Sequence, residues 1–349
     1  MNGIQEVVPN VFQLEMPLPF PRLPVVNVYL IRDGDELGLV DCGMNIDGAF
    51  DTFSSYLKHL GHEFKHIRQI LVTHSHPDHI GLSGRIREAS GGNLIMHRDE
   101  AAIVPSRYVD VDRILADLRA FLSRHGTPED QVLDFSEVSL HWRAYVSLHR
   151  PDTEVNDGER LSFGDTRWEL IWTPGHSAGH VVAYDQQRKL LFSGDHLLAK
   201  ISPNVSKHPQ STLDPLHDFE ASMRKVAAYD VNQTLPAHGD LFGHPAERVT
   251  ELLAHHQTRR ERCLEAIGAG AVSAWEISRL VFPRPEALFE KRMALFETLA
   301  HLEALRVEGR LVEEVEGGRS LWVKASKASP LPPRRERARE REPGGAVGG

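Results

Sequence analysis

Residues 70–84 read ILVTHSHPDHIGLSG, an apolar run that breaks into three histidines and one aspartate within six positions. The run before them, IRQILVT at 67–73, is β-branched and aliphatic and is expected to form a strand ending at Thr73. His74 and His76 lie two apart, so an extended turn lets both approach one ion. Pro77 is expected to bar a regular helix through the cluster. Asp78 and His79 are adjacent and are expected to diverge, which suits a second ion better than the first. Imidazole and carboxylate are good ligands for zinc and other first-row metals. Burying this many polar groups without a shared partner would be costly.

Farther along the chain, similar settings supply more ligands. IWTPGHSAGH places His176 after a strand and a Pro-Gly turn, and LLFSGDHL places Asp195 after another strand. NQTLPAHGD places His238 after the last strand of the series, with proline before and glycine after. The neighbouring glycines permit close backbone approach. The pattern predicts one site from His74, His76 and His176, and a second from Asp78, His79 and His238. Asp195 bridges both, with a water or hydroxide as the second bridge. Two cations lower the pKa of that water and supply a nucleophile near neutral pH. They also neutralise charge that develops in the transition state. Asp78 and Asp195 are the candidate catalytic residues, orienting the water and taking its proton.

Composition bounds the remaining choices. The chain has 349 residues with 41% apolar content, enough for one sizeable core and a smaller module. A net charge of -9 disfavours a general nucleic-acid binder, which would more often be basic. Two distant cysteines, Cys42 and Cys263, make neither a disulfide framework nor a zinc finger. The first residues show no secretory signal, and no run of 18 apolar residues suggests a membrane span. A soluble, cytoplasmic protein is expected. Among the 20 histidines, His59, His62, His66, His255 and His256 sit in polar contexts and are read as surface side chains.

Strands are expected over 11–16, 25–31, 36–41, 67–73 and 93–96, and again over 168–173, 180–184, 189–194 and 231–235. Asp33-Gly34 marks a hairpin turn. Helices are expected over 47–60, 81–90 and 215–229, with a helical insertion over about 98–135. DGERLSFG (157–164) reads as turn, and 143–148 is ambiguous. Two sets of strands with helices between them fit two mixed sheets packed face to face, helices outside. A long helical stretch from Pro245 is expected to contain a domain boundary near 252–257. This divides a catalytic domain, 1–254, from a compact module of three helices and a hairpin, 255–325, like a winged helix. The stretch 326–349, rich in Arg, Glu, Pro and Gly, is expected to be a disordered tail.

The ordered series HxHxDH, PGH, GD and PAHG resembles the metallo-beta-lactamase superfamily over roughly residues 8–250. The resemblance implies a four-layered αββα sandwich with a dinuclear metal centre on one edge, usually zinc, with iron or manganese as alternatives. LVDCG (39–43) resembles the family's strand-turn LVDTG, which makes Asp41 a residue that steadies the metal loops. The complete set of Asp and His ligands resembles the glyoxalase-II-like hydrolase branch. Secreted antibiotic-degrading members typically lack an Asp78-type ligand. The basic and tyrosine residues by which glyoxalase II holds glutathione have no match here. A lactamase-like domain followed by a winged-helix-like module resembles a group that includes LACTB2-like proteins, some of which cleave single-stranded RNA.

His180 and His196 are expected to support the ligands or touch substrate. The proline-rich stretch 15–27, with Asn27, is expected to lie over the site. Arg107 and Tyr108 of the insertion, and Lys200 and Asn204, are further candidate contacts. The apolar, proline-stiffened wall favours hydrolysis of a small-molecule acyl ester or thioester. The alternative is a phosphodiesterase or single-stranded endoribonuclease. Residues 257–326 hold eleven Lys/Arg and eleven Asp/Glu. The module is therefore expected to serve homodimerisation or to cover the site, with nucleic-acid contact not favoured.

Overall fold

The structure is a computed structural model that describes residues 2–325 apart from Glu286. The tail expected over 326–349 lies outside the described residues. The first sheet follows chain order: β1 (Ile4–Val8), β2 (Val11–Phe20), β3 (Leu23–Asp33), β4 (Glu36–Val40), β5 (Ile67–Leu71), β6 (Asn93–His97) and β7 (Thr153–Val155). It is antiparallel from β1 to β4 and parallel from β4 to β7. The second sheet comprises β8 (Arg160–Phe163), β9 (Thr166–Trp172), β10 (Val181–Asp185), β11 (Leu190–Gly194) and β12 (Gln233–Pro236), ordered β12-β11-β10-β9-β8. β11 and β12 are its parallel pair. All five residues of β10 and of β11 are buried. Such continuous buried runs arise where a sheet is covered on both faces.

The layers follow from these patterns. Val11, Tyr29, Ile31, Leu71 and Ile95 of the first sheet meet Trp168, Leu170, Val181, Ala183 and Phe192 of the second, which forms the interior of the sandwich. Outside the first sheet lie α1 (Ala49–His59), the short α2 (Pro77–Ile80), α3 (Ser83–Ser90) and α4 (Arg98–Tyr108). From α4 the chain continues into α5 (Val111–Arg124) and α6 (Glu129–Arg143). Outside the second sheet, α7 (Pro215–Ala227) and α8 (Ala246–Ile267) pack on its face. The described chain ends with β13 (Val272–Ser273), α9 (Ala274–Val281), α10 (Leu288–Val307), β14 (Leu311–Glu316) and β15 (Arg319–Lys324). The result is the expected αββα sandwich with a smaller C-terminal helix and strand module.

Several local expectations change. Pro77 opens α2 at its first position instead of barring a helix, because the amide it lacks is unpaired there in any helix. Arg160–Phe163, read as turn, is a strand paired with β9 and bounded by Gly158 and Gly164. The insertion runs on to Arg143 as three helices. The proline-rich stretch folds as the β2–β3 hairpin. The boundary expected near 252–257 falls inside α8, which runs through it unbroken. His256, read as exposed, is fully buried, with Nδ1 at 3.3 Å from His301 Nε2.

The module's core extends into the insertion. Its Ile277, Leu295, Leu299, Leu302 and Trp322 share one cluster with Leu118, Leu122, Val132 and Phe135 of the insertion. Few faces of α10 reach solvent, since Arg292, Leu295, Phe296, Leu299, Ala300, His301 and Leu302 are all buried.

Candidate metal centre

Five strands aim their C-terminal ends at one edge of the sandwich. β4 delivers Asp41, β5 delivers Thr73 and His74, β9 leads to His176, β11 delivers Asp195, and β12 leads to His238. Close packing there explains two glycines. A Cβ on Gly194, at φ +50°, would lie 2.8 Å from His180 Nε2 and 3.0 Å from Thr73 Oγ1. A Cβ on Gly175, at φ +133°, would lie 2.5 Å from the Cα of Phe219. Neither position admits a side chain without moving the ligand loops.

The seven candidate ligands fall into two groups, His74, His76, His176 and Asp195, and Asp78, His79 and His238, with ligand atoms inside each group within 4.8 Å of one another. His74 Nε2 lies 2.9 Å from His76 Nδ1 and 3.2 Å from His176 Nε2, and the latter two nitrogens are 3.0 Å apart. A tetrahedral ion bonded to nitrogen at about 2.0–2.1 Å sets its ligand atoms about 3.3 Å apart, close to this spacing. Asp195 faces both groups: Oδ2 lies 3.5 Å from His176 Nε2, and Oδ1 lies 3.6 Å from His79 Nε2 and 3.4 Å from His238 Nε2. Asp78 Oδ2 completes the second group at 3.3 Å from His238 Nε2. Asp78 and His79 therefore face the same group, because the first turn of α2 brings both side chains inward.

The outward nitrogens of these rings are already engaged. His79 Nδ1 lies 2.8 Å from Asp41 Oδ2, and His74 Nδ1 lies 3.1 Å from Thr73 Oγ1. His176 Nδ1 donates to the Asn204 carbonyl at 2.8 Å, and His238 Nδ1 to the Val25 carbonyl at 3.3 Å. Each Nε2 is thereby left with its lone pair facing the centre. His79 Nε2 and Asp195 Oδ1 are buried and have no hydrogen-bond partner. Orphaned acceptors of this kind are costly unless a cation satisfies them. The donor set therefore fits two metal ions, one per group, which makes a dinuclear metal cofactor the simplest occupant.

Electrostatics agrees. Burial, above all, holds His74, His76 and His176 below the usual histidine range, so each is a neutral ring. Burial opposes charge on His79 and His238, but surrounding carboxylates outweigh it and raise both. A cation at that group competes with the proton those carboxylates attract. Burial also opposes charge on Asp78 and Asp195. The nearby imidazoles overcome it, leaving Asp78 at about 2 and Asp195 well below the usual carboxylate range.

Most of the remaining candidates support the loops. Asp41 Oδ1 accepts from the Thr73 amide at 2.8 Å. Asn27 Nδ2 donates to the carbonyls of Pro236 and Gly239, both at 3.0 Å, and so clamps the turn that carries His238. His180 Nε2 accepts from the Asp195 amide at 3.2 Å. His196 is fully buried against Phe219, at 5.1 Å between ring centres, and burial pushes it down to about 3. Arg107 Nη1 donates to Ser75 Oγ at 3.0 Å, and the Tyr108 hydroxyl donates to the Ser75 carbonyl at 2.5 Å. Lys200 is exposed and pairs with Asp240 at 2.5 Å.

Glu100 is a supporting residue of the two loops that no sequence motif marks. Fully buried at the start of α4, it accepts from the Ser75 amide with Oε2 and from the Gly179 amide with Oε1, each at 2.9 Å. One carboxylate thus ties the His74–His76 turn to the loop bearing His176. A glutamate in a helix's first turn is common, so the sequence carries no signal for this role.

Comparison with known proteins is consistent with this geometry. The profile of the metallo-beta-lactamase superfamily matches residues 21–252, and that of a metallo-beta-lactamase-like C-terminal domain matches residues 261–322. A metallo-beta-lactamase family protein of Thermus thermophilus superposes with a TM-score of 0.80 at 33% identity, covering 91% of this chain and 100% of that one. A probable metallo-hydrolase of Bacillus subtilis, YqjP, is 25% identical over 88% of this chain and 96% of its own length. The acyl-coenzyme A thioesterase MBLAC2 of Gallus gallus is 26% identical over 68% of this chain and 80% of its own length.

Proposed function

Because the chain belongs to the metallo-beta-lactamase superfamily, we propose that this metal-dependent hydrolase cleaves a small acyl thioester or ester at a dinuclear centre. The observation that carries the reading is Asp195, whose two carboxylate oxygens face the two ligand groups separately. We assign His74, His76 and His176 to one ion, Asp78, His79 and His238 to the other, and Asp195 to both. Zinc suits these nitrogen and oxygen donors, and iron or manganese share them. When bound, the two cations lower the pKa of a water toward neutrality and polarise the acyl carbonyl.

The chain's own residues then orient and exclude. Asp78 and Asp195 stay ionised at neutral pH and present oxygens that accept hydrogen bonds from the attacking water. Their low pKa makes them orienting groups first and brief proton acceptors second. Asp41, Glu100 and Asn27 hold the three ligand turns in place, so little reorganisation accompanies the reaction. The β2–β3 hairpin reaches the centre at Val25, whose carbonyl takes the His238 Nδ1–H. The acyl-coenzyme A thioesterase activity named for the Gallus gallus relative supports an acyl substrate.

A phosphodiesterase or endoribonuclease has less support. α10 occupies the third-helix position of the winged-helix-like order, yet most of its length is buried. The eleven Lys/Arg and eleven Asp/Glu of residues 257–326 also leave the module without a net positive charge to attract a polyanion. Among the described residues, no helix is long and apolar enough to cross a membrane. A homodimer and a cytoplasmic setting remain part of this proposal, and light scattering that gives the mass of one chain would remove the dimer.

The test is a substrate panel. Protein reconstituted with zinc, iron or manganese is assayed on acyl thioesters, esters and lactones, and on single-stranded RNA at low salt, where phosphate binding is strongest. Turnover of a thioester or ester is expected. RNA cleavage with no acyl turnover would overturn the acyl reading.

A further inference from the structure

Resting on the metal centre described above, we propose that the C-terminal module is a working part of the site: Glu297 of α10 positions the ligand His176 through Asn204. His176 depends on the Asn204 carbonyl, which takes its Nδ1–H at 2.8 Å and so aims Nε2 at His74 and His76. Asn204 lies in a stretch without helix or strand, so its place must be fixed from outside. The side chain is held at both ends. Nδ2 donates to Glu297 Oε2 at 3.4 Å, and Oδ1 accepts from the Ser206 hydroxyl.

The backbone beside it is anchored to the same helix. The Lys207 amide donates to the Phe296 carbonyl at 3.0 Å, and His208 packs on the Phe296 ring at 5.8 Å between centres. Val205, fully buried, shares a cluster with Ala300 and Ala304 of α10. Asn204, Lys207 and His208 thus all rest on one turn of α10, at Phe296 and Glu297, which ties the carbonyl that orients His176 to that helix. Glu297 is only 15% exposed and lies 3.9 Å from Arg259 of α8, so its carboxylate is itself held. Partners one step behind a metal ligand typically govern metal affinity by about 10–100-fold.

A role confined to linking α8 and α10 is separable from positioning. Glu297→Gln keeps an oxygen for Asn204 but removes the charge that faces Arg259, whereas Glu297→Ala removes both. The full chain, stripped with a chelator, is titrated with cobalt(II) against a competing chelator, following visible absorption. Circular dichroism and Tm check the fold. In Glu297→Ala and in Asn204→Ala, the ion held by His74, His76 and His176 is expected to bind about tenfold more weakly. The second ion keeps its affinity, the double variant is no worse than either single one, and Glu297→Gln stays close to the parent. Should Glu297→Ala fail to fold, Asn204→Ala alone decides. Variants that bind both ions as tightly as the parent, or a Glu297→Gln as weak as Glu297→Ala, overturn the inference alone. A parent chain that takes up no cobalt overturns the metal-centre reading and this inference with it.

Discussion

Asp41 Oδ2 and His79 Nδ1 lie 2.8 Å apart with both side chains shut away from solvent. The carboxylate also takes the Thr73 amide at 2.8 Å and the Thr73 hydroxyl at 3.0 Å, so one group fixes a ligand ring and the strand end that carries two more ligands. Its backbone stands at φ +63°, a conformation that aspartate and asparagine tolerate better than most residues. Asp41→Asn therefore keeps the turn but sets an NH2 or a neutral oxygen against His79. Metal affinity of the Asp78–His79–His238 group is expected to fall about 10–100-fold. Chelator competition measures it, and parent-like affinity would contradict the role given to Asp41.

Asp195→Asn removes the negative charge that faces both groups. Metal content is expected to drop from two ions toward one. Hydrolysis should fall by at least about a hundredfold, the upper end of the loss seen when a mere supporting partner is removed. Elemental analysis beside a thioester assay reads both quantities. Two ions retained at full activity would mean that Asp195 is not shared.

Glu100→Gln leaves one acceptor oxygen where the Ser75 and Gly179 amides each need one. One buried amide then faces an NH2 group. A loss of about 1–3 kcal/mol is expected from the unsatisfied donor. Urea unfolding measures it, and a variant as stable as the parent would show that the two loops do not depend on this tie.

His217 links α7 to the end of α10. Its hydrogen bonds to Asp214 and Glu308 raise it from 6.5 to about 9 against the opposing effect of burial. The folded chain keeps that proton well above the pH at which an unfolded histidine gives it up. The stabilisation is therefore complete below pH 6.5 and is lost as pH rises through about 9. His217→Gln is expected to lower Tm most at pH 6 to 6.5 and to converge with the parent above pH 9. A Tm difference that does not change with pH would remove the ion pairs as its cause.

The ligands are legible in the sequence because their signal is local. Three histidines and an aspartate at one strand end, and PGH, GD and PAHG turns at three others, are read without knowing what lies across the molecule. Asp41 comes from resemblance, and its bonds to Thr73 and His79 give that resemblance a physical basis. Glu100 is not legible, since its partners are backbone amides that almost every residue possesses. His256 reads as exposed because its polar neighbours on α8 hide the fact that its own face packs on His301 of α10. Arg160–Phe163 is lost between glycines, where a short edge strand looks like a turn. Glu100 and His256 depend on contacts distant in sequence, which periodicity along one segment does not encode, whereas β8 is a local hairpin partner of β9 too short to show a period.

Phe135 of α6 is fully buried in the cluster that also holds Leu295, Leu299 and Trp322, and its carbonyl accepts from Arg292 at 3.0 Å. We propose that residues 1–254 and 255–325, although distinct as sequence units, share this core and unfold together. Phe135→Ala is expected to cost about 3–5 kcal/mol, as for a buried aromatic whose cavity cannot collapse. Urea transitions followed by tryptophan fluorescence and by circular dichroism should coincide and shift together. A chain ending at residue 257 would leave Leu118, Leu122, Val132 and Phe135 facing water and is expected to aggregate. A soluble, cooperatively folding truncation, or two separated transitions in the full chain, would show that the module and the sandwich are independent.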